Sequence, residues 1–515
     1  MEYGILTLLP PIIAIGLALW IKQVIIALLL GVLSGILILT GGNPYLALVA
    51  LFEDYIFAEL ASDLNAQTVV TICLIGGFVA LIEKSGGAHA FAKQTTRTLT
   101  NKFKALVVTW LCGIGIFFTD LGNALILGPI FKPVTDRLRI SREKLAYVLD
   151  STSAPVAVLV PITNWGVFIM SILAAEFARI EYPVGDWTGF IQAIPFQLYP
   201  ILALILVPFV AATQRDFGPM AKAEYRAYSE NKLIADDAEQ LQPDVVPEIP
   251  SGVEAKASNA YVPLIILLAV IFGVLVSFGF PGQEVGGTQV RVALSLGYIM
   301  CAIVAGILVV RNKIMNVKSA VDTYFNGLQR MIYVLVILVL AWSIGSVMSN
   351  LGTADYVVGV TEGVISPAML PAIIFVIAGF VAFATGTSWG TFGMLLPIAI
   401  PLADAMGVPI SPAIGAVLSG ALFGDHCSPI SDTTILASMA SSGDLVDHVK
   451  TQTPYALTAA AGAFVGFIVA GNTGNPLLSL VVGIVVMFAV YTVLTYVMGR
   501  SIPFVDLNKE VDTSE

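Results

Sequence analysis

Apolar runs long enough for membrane helices recur along the whole chain and are separated by short polar loops. A bilayer core of about 30 Å needs roughly 20 apolar residues for each helical crossing. The pattern therefore predicts about eleven spanning helices. Their approximate bounds are 4–21, 24–40, 67–82, 145–174, 190–211, 261–279, 292–310, 331–350, 411–440, 453–471 and 476–498. We expect the first run to be retained rather than cleaved, because its first basic residue, Lys22, follows the run.

Two further apolar stretches, about 104–131 and 368–403, are too long for one crossing, and each contains a polar interruption. The interruptions are Thr119-Asp120-Leu121-Gly122-Asn123 and Thr385-Gly386-Thr387-Ser388-Trp389-Gly390-Thr391. Lys and Arg flank the first stretch on both sides, whereas neither residue occurs in 331–449 around the second. Because basic residues concentrate in cytoplasmic loops, the first stretch is predicted to be a re-entrant hairpin from the cytoplasm. The second is predicted to be a hairpin from the outside.

The charge distribution supports this topology as a whole. All but two of the 25 Lys and Arg residues fall in segments that it places in the cytoplasm, and the exceptions are Arg179 and Arg291. One misplaced hairpin would invert every later loop and remove this bias. The sequence therefore predicts a multi-pass protein of the cell (inner) membrane, with its N-terminus outside and its C-terminus in the cytoplasm.

The two interrupted stretches also match one another. The pairs at one common offset are Thr119-Asp120-Leu121-Gly122 with Thr387-Ser388-Trp389-Gly390, Pro129 with Pro397, and Pro133 with Pro401. A broken helix follows each hairpin, and the two halves enter the membrane from opposite sides, which predicts an inverted-topology repeat. The predicted organisation is a first repeat at 1–211, a cytoplasmic linker at 212–260, a second repeat at 261–471, and a final helix with a cytoplasmic tail at 472–515.

Composition excludes several classes of protein. Apolar residues make up 57% of the 515 residues and charged residues only 12%, against about 25% charged in a soluble protein. The mean hydropathy is +0.89. A water-soluble enzyme is therefore excluded, and the net charge of −10 argues against nucleic acid as a partner. The fold class is an all-α polytopic membrane protein.

Unwound backbone survives in hydrocarbon only where protein or water surrounds it, because each N–H and C=O needs a partner. We therefore expect both hairpin tips and both helix breaks to meet at mid-membrane and to form a cation and substrate site. The candidate binding residues are Thr119, Asp120, Asn123, Ser151, Thr152, Ser153, Thr387, Ser388, Thr391, Asp425, His426, Cys427, Ser428, Ser431 and Asp432. Sodium is expected at Asp120, Asn123, Asp425 and Asp432.

The segment 424–434 is the densest polar cluster in the chain. An ionisable group at mid-bilayer costs at least about 2.5–3.5 kcal/mol, so carboxylates and an imidazole in one break indicate a function. The alternative is a polar cluster that only stabilises the break. Asp120 has the corresponding alternative role of a helix cap at the hairpin tip.

Other polar residues are assigned smaller roles. Asp150 is a candidate either for the site or for a cytoplasmic helix cap, and Glu83 is predicted to be interfacial. His89 and His448 fall in predicted loops and are expected to take no part. No Lys or Arg lies inside a predicted span or hairpin after Lys22. That absence favours a small cation, or a carboxylate held by helix termini and backbone rather than by a guanidinium.

The sequence Gly-Asp-His-Cys-Ser-Pro-Ile-Ser-Asp-Thr-Thr at 424–434 resembles the signature of the NhaC family of sodium/proton antiporters. The hairpin layout resembles the wider ion-transporter superfamily. This resemblance implies an elevator-type homodimer, with a scaffold of the early helices of each half and a transport domain of the hairpins and the helices after them. The family also includes exchangers of organic acids and relatives assigned to amino acids.

Sodium/proton antiport is therefore the predicted function, with sodium, protons and the lipid bilayer as partners. The alternative is a sodium- or proton-coupled carrier of a small organic solute, a carboxylate or an amino acid. A membrane-embedded enzyme is not supported, because the sequence has neither an HExxH zinc site nor a Walker-type loop. No catalytic residue and no cofactor are expected, apart from sodium as the transported or coupling ion.

We predict that residues 84–104 and 132–144 are both cytoplasmic, because basic residues lie on both sides of the first hairpin. An impermeant thiol reagent applied to intact cells should leave a single engineered cysteine in either segment unmodified. It should modify both after permeabilisation. Modification of only one segment in intact cells would show that the first hairpin crosses the membrane, and the inverted repeat would fail with it.

Overall fold

The structure is a computed structural model, and it describes residues 3–96, 99–236, 238, 255–283, 285–361 and 366–501. Part of the predicted linker, at 239–254, lies outside the described residues. The same is true of the predicted cytoplasmic tail at 502–515.

The first half consists of helices and one short strand. The helices are α1 (Leu9–Ile21), α2 (Val24–Leu39), α3 (Pro44–Ala50), α4 (Ala58–Ala61), α5 (Asp63–Lys84), α6 (Gly87–Thr95), α7 (Lys102–Gly115), α8 (Asp120–Arg137), α9 (Arg142–Ser151), α10 (Ala154–Leu159), α11 (Asn164–Arg179), α12 (Asp186–Ala193), α13 (Leu198–Thr213) and α14 (Gly218–Ser229). Strand β1 (Arg215–Phe217) precedes α14. A π-helical segment, Leu51–Phe57, links α3 to α4.

The second half repeats this helical character. Its helices are α15 (Ser258–Ser277), α16 (Gly287–Arg311), α17 (Val317–Arg330), α18 (Ile332–Leu351), α19 (Thr353–Thr361), α20 (Leu370–Thr385), α21 (Ser388–Ala405), α22 (Ile410–Cys427), α23 (Asp432–Ser441), α24 (Leu445–Thr473) and α25 (Pro476–Met498). Strand β2 (Gly499–Ser501) pairs antiparallel with β1.

The predicted fold class is confirmed. Among the described residues, eight helices are long and apolar enough to cross a membrane, and up to eleven cross if each of three bent helix pairs is one span. The three pairs are Val24–Leu39 with Pro44–Ala61, Arg142–Leu159 with Asn164–Arg179, and Asp186–Phe196 with Leu198–Thr213. The chain is an all-α polytopic membrane protein.

Both interrupted stretches are helix pairs; the first extends beyond its predicted bounds at both ends, and the second begins and ends two residues later than predicted. The first pair is α7 and α8, over 102–137, and the second is α20 and α21, over 370–405. Lys132, predicted to follow the first hairpin, instead lies inside α8, where its Nζ donates to Ser442 Oγ at 2.9 Å. The prediction ended the hairpin too early because it followed apolar residues alone, whereas a long Lys stem packs along a helix while its amine reaches a partner.

The two hairpin tips have nearly the same backbone. Thr119 begins α8 with φ −145° and ψ 128°, and Thr387 begins α21 with φ −149° and ψ 125°. Each second arm then carries two prolines in its interior, at Pro129 and Pro133 in α8 and at the aligned positions of α21. This likeness supports the proposed repeat.

Glycines allow the site-bearing helices to approach closely. A Cβ on Gly420 of α22 would lie 2.3 Å from the carbonyl oxygen of Phe375 in α20. A Cβ on Gly128 of α8 would lie 2.4 Å from the carbonyl oxygen of Ala440 in α23. Small residues at such contacts are the usual means of helix association in membranes. The first hairpin thus packs against the broken helix of the second half.

The start of the predicted linker is structured, which the residue pattern did not indicate. Asp216 of β1 is buried, pairs with Lys144 of α9, and accepts a hydrogen bond of 2.5 Å from Tyr455. Glu224 of α14 is also buried and lies 3.4 Å from Lys102. These ion pairs neutralise charges that would otherwise favour solvent, and they attach 215–229 to the first hairpin and to α24.

We predict that Gly420→Ala destabilises the protein, because the new Cβ has no room against the α20 backbone. Overpacking of this kind costs about 1–3 kcal/mol. Thermal unfolding followed by size-exclusion chromatography in detergent measures the shift in melting temperature. The matched control is Gly306→Ala in α16, where the Cβ would meet no atom within 4 Å, and equal shifts for the two variants would contradict the packing argument.

Candidate functional site

The tip of the first hairpin is fixed by hydrogen bonds on both sides of Thr119. Its hydroxyl accepts from the Gly122 N–H at 3.0 Å and donates to Glu83 Oε1 at 2.7 Å. Asp120 follows in the first turn of α8, and its Oδ2 accepts from Trp165 Nε1 at 3.0 Å. A carboxylate in the first turn of a helix is favoured by the helix dipole, so the tip presents Asp120 in a defined orientation.

Asn123 joins this tip to the first helix break. Its amide Nδ2 donates to the carbonyl of Gly113 at 2.8 Å and to that of Thr152 at 3.1 Å. Ser153 Oγ donates to the Asp120 carbonyl at 2.5 Å. Asn123 is buried, and its Oδ1 accepts a hydrogen bond from no residue that the structure describes. Carbonyl groups at the tip and the break therefore have hydrogen-bond donors, whereas the Asn123 amide oxygen is left to accept a bond from a ligand.

The tip of the second hairpin packs directly on the second break. Gly386 ends α20 with φ +66°, and a Cβ there would lie 2.7 Å from the Ile430 carbonyl oxygen. Ser428 Oγ donates to the Phe383 carbonyl at 2.8 Å, which joins the break to the end of α20. The left-handed backbone and the close approach both require glycine at 386.

Asp425 is buried where this tip and the break meet. It is 2% exposed, and the side chains of Ser388 and Ser431 lie beside its carboxylate. Its Oδ1 has no hydrogen-bond partner within the described part of the chain. Asp432 begins α23 after the break, and its Oδ1 accepts from the Thr433 N–H at 2.9 Å.

A cavity of about 850 Å³ lies between the hairpin tips and helices α5, α17 and α18. Four of the predicted site residues line it: Thr119, Asp120, Thr387 and Asp432. Its other walls come from α5, α17 and the start of α18. Over the residues that the structure describes, Asp425 is not part of this lining, so Asp432 shares the cavity with Asp120 rather than with Asp425.

Asp150 lies in a second buried polar cluster and is not a solvated cap. Its Oδ2 accepts from Gln452 Nε2 at 2.6 Å and from Thr434 Oγ1 at 3.1 Å. His448 Nε2 is 3.5 Å from the same oxygen. The Asp150 carbonyl lies 3.2 Å from His426 Nε2. This cluster connects α9 of the first half with α22, α23 and α24 of the second.

The placement of His89 and His448 in loops is wrong, because His89 lies in α6 and His448 in α24. His448 lies in the first turns of α24 and is fully buried. The sequence prediction began this span at residue 453, because the polar residues before it lower the hydropathy. A usable signal was present, since Gln452 follows His448 by four positions and so lies on the same helix face.

The remaining candidates use their hydroxyls mainly within the protein. Thr391 Oγ1 donates to the Thr387 carbonyl at 2.9 Å, and Thr152 Oγ1 donates to the Val148 carbonyl at 2.9 Å. Ser151 and Cys427 are buried behind the tips. These side chains stabilise the breaks and are not part of the cavity lining among the described residues.

The residue pattern does not predict a basic residue at the cavity, but one lies there. Arg330 lines the cavity at the end of α17 and lies 3.3 Å from Glu83 Oε2. Glu83, predicted to be interfacial, thus connects Arg330 to Thr119 at the hairpin tip. The residue pattern did not indicate Arg330 because α17 is amphipathic rather than apolar, and a search for apolar spans does not include such a helix.

The described residues contain no group of three or more His, Cys, Asp and Glu side chains that could hold a metal ion. A transported sodium ion is bound differently, by carbonyl, amide and hydroxyl oxygens at helix breaks. Several buried oxygens have no partner in the described part of the protein, and three of them belong to predicted candidates at the tips and breaks: Asn123 Oδ1, Asp150 Oδ1 and Asp425 Oδ1. They are candidates for such ligands.

Unwound segments that meet inside a polytopic helical protein, with buried carboxylates beside a cavity, define the class of secondary transporters. The model of the Na+/H+ antiporter family matches residues 2–184 and 184–472. The chain belongs to this family, and its resemblance to sodium/proton antiporters is confirmed.

Individual relatives agree with the family match. An uncharacterized protein of Haemophilus influenzae is 32% identical over 486 residues, which are 91% of each chain. The malate-2H(+)/Na(+)-lactate antiporter of Bacillus subtilis is 38% identical over 113 residues, 21% of this chain and 24% of that protein. The crystal structure of the Alcanivorax borkumensis YdaH transporter matches with a TM-score of 0.61 at 18% identity, over 84% of this chain and 90% of that one, and shows the likeness of fold.

Proposed function

We propose that this member of the antiporter family exchanges sodium for protons at the junction of its hairpin tips and helix breaks. The observation that carries the proposal is that three of the unpartnered buried oxygens among the described residues lie at the tips and breaks: Asn123 Oδ1, Asp150 Oδ1 and Asp425 Oδ1. A buried polar atom without a partner costs about 1–3 kcal/mol. A bound cation removes that cost.

Asp425 and Asp432 would carry the exchange, with Asp120 as a further sodium ligand at the cavity. Asp120 and Asp432 line it and lie close enough for their charges to interact. Asp425 lies beside Asp432 in charge interaction. When sodium and a proton compete for one carboxylate, the site is neutral with either occupant, and a neutral site moves through hydrocarbon at lower cost than a charged one. Exchange is then obligatory without two separate gates.

The cavity is proposed to open toward the cytoplasm. Lys84 and Arg330, at the ends of α5 and α17, form part of its wall. Both lie in segments that the positive-inside rule assigns to the cytoplasm. An external N-terminus and a cytoplasmic C-terminus in the inner membrane follow from the same rule and form part of the proposal.

The resemblance to elevator-type transporters supports a two-part architecture. In this proposal, α5 and α15–α18 belong to the scaffold, while the hairpins, α9–α11 and α22–α24 move as the transport domain. The cavity lies between these groups, because α5, α17 and α18 line it opposite α8, α21 and α23. A homodimer is proposed on the same resemblance.

We predict that Asp432→Asn and Asp425→Asn each abolish sodium-driven proton flux, because Asn keeps the size of Asp but does not titrate. Asp120→Asn should weaken the sodium affinity by about tenfold while part of the exchange remains. The measurement uses liposomes containing purified protein, a sodium gradient and an internal pH dye. Asp322→Asn is the control, because Asp322 is an exposed carboxylate of α17 outside the cavity lining in the described residues.

The coupling carboxylate lies elsewhere if Asp425→Asn and Asp432→Asn both exchange at wild-type rates with an unchanged pH dependence. Asp150 would then be the next candidate, since it is buried and keeps one oxygen without a partner among the described residues.

A second candidate function is exchange coupled to an organic carboxylate. The cavity volume of about 850 Å³ exceeds what a single cation needs and lies in the range of small-molecule sites. Arg330 supplies a guanidinium at its wall, and a guanidinium binds carboxylates in a bidentate manner. The Bacillus subtilis relative, named for malate and lactate, supports this alternative over its short matched region.

The two functions differ in which solute is required for proton flux. With sodium alone, proton flux supports cation exchange, whereas flux only after adding malate, lactate or an amino acid supports the second function. In the latter case, Arg330→Gln should raise the half-saturating solute concentration by about tenfold or more. Lys318→Gln on the same helix is the matched control, because Lys318 is exposed and outside the cavity lining in the described residues. Equal effects of the two substitutions would contradict a role for Arg330 in solute binding.

A further inference from the structure

A second cavity, of about 260 Å³, lies at the opposite ends of the helices that form the first. Helix α18 lines the first cavity with Tyr333 near its start and the second with Ser349 near its end. Helix α11 lines the first cavity with Asn164 at its start and the second with Glu176 near its end. Helix α21 lines the first cavity near its N-terminus and the second with Asp404 near its C-terminus. The two cavities therefore face opposite sides of the membrane.

An aromatic layer separates the cavities. The ring of Trp165 lies 4.8 Å from that of Trp389 and 5.6 Å from that of Phe392, between ring centroids. Phe168 packs edge-on against Trp389 at 5.0 Å. Trp342 of α18 is fully buried beyond them. Such packing leaves no room for an ion, so the second cavity is a separate compartment in this conformation.

The second cavity contains an unusual buried ion cluster around Arg179. The guanidinium donates from Nη1 to Glu176 Oε1, and from Nη2 to Glu59 Oε1 at 2.8 Å and to the Trp342 carbonyl at 2.8 Å. Gly345 makes room for the cluster, because a Cβ there would lie 2.2 Å from Glu176 Oε1. One guanidinium thus serves two acidic side chains, so the cluster has more carboxyl groups than basic groups.

Glu176 is the member of this cluster that remains incompletely bonded. Its side chain is 1% exposed and lines the cavity, and its Oε2 has no hydrogen-bond partner among the described residues. Asp355 and Asp404 lie at the rim of the same cavity and are exposed. A buried carboxylate oxygen without a partner is costly. Three acidic side chains, Glu176, Asp355 and Asp404, line the cavity against one basic side chain, Arg179, and such an excess of acidic groups concentrates cations.

We propose that the second cavity is a binding site for a monovalent cation, sodium, on the face of the membrane opposite the first cavity, with Glu176 as its principal ligand. The inference rests on the proposed sodium/proton exchange and adds the place where the ion binds before or after it passes the aromatic layer. Arg179 is the positioning residue, because it fixes Glu176 through Oε1 and leaves Oε2 directed elsewhere. Asp355 and Asp404 attract the ion to the opening.

The test compares sodium affinity from the two sides of the membrane. We expect Glu176→Gln to raise the ratio of half-saturating sodium at the second-cavity face to that at the first-cavity face by about tenfold. The ratio is obtained from right-side-out and everted vesicles containing the full-length protein. Asp404→Asn should shift it in the same direction by a smaller factor, since Asp404 is exposed.

Glu59→Gln is the matched control for a purely structural effect. Glu59 bonds to the same guanidinium but does not line the cavity in the described residues. If Glu176 only supports the packing of α11 against α18, both substitutions should change the ratio alike. An equal change in both variants, or an unchanged ratio in Glu176→Gln, would overturn the proposal.

A binding measurement covers the case in which a variant folds poorly or does not transport. Ser349 is exposed at the wall of the second cavity. Sodium, but not choline, should slow modification of Ser349→Cys by an impermeant thiol reagent in otherwise wild-type protein, and adding Glu176→Gln should remove this protection. If sodium protects the cysteine at position 349 but the protein does not exchange sodium for protons, the proposed function is refuted and the second-cavity site stands. Exchange without protection would refute the site alone.

Discussion

The structure depends on one constraint: backbone groups deep in a membrane must find partners without water. At the first half's breaks, the Asn123 amide donates to the Thr152 carbonyl, and the Ser153 hydroxyl donates to the Asp120 carbonyl. In the second half, Ser428 donates to the carbonyl of Phe383 at the end of α20. Each hairpin tip is therefore satisfied by the broken helix that follows it. In each half, the hairpin tip and the helix break depend on one another for these hydrogen bonds. Each hairpin and its broken helix therefore behave as one unit.

Satisfying the backbone also creates the site. An amide has a donor end and an acceptor end, and because the Nδ2 of Asn123 is fixed by carbonyls, its Oδ1 must point away from them. Asp150 connects the halves, since it belongs to the first half and accepts hydrogen bonds from Thr434 and Gln452 of the second. The unit that presents the oxygens is consequently held together across the repeat, which is a requirement for any domain that moves as a rigid body.

Sequence patterning predicted the helical class and both hairpins, because apolar length and the positions of Lys and Arg are local properties that a bilayer acts on directly. It also singled out Asp120 and Asp432, both of which line the cavity. It missed Glu83, Arg330 and His448, because their roles come from contacts between elements far apart in the chain. Polar residues at the ends of helices are equally typical of solvated loops, and only the packed structure separates the two cases.

The aromatic layer connects ion binding to access. Trp165 packs against Trp389 in this layer, and its Nε1 donates to Asp120 Oδ2 in the first cavity. A cation or proton at Asp120 changes what that oxygen can accept, and therefore changes the hydrogen bond that holds the Trp165 ring in place. Rotation of one ring would not open a path, because Phe168 and Phe392 pack against the same pair. The proposed exchange would then need displacement of whole helices, and α11 would take part in it, because it carries Trp165 at one end and Glu176 at the other.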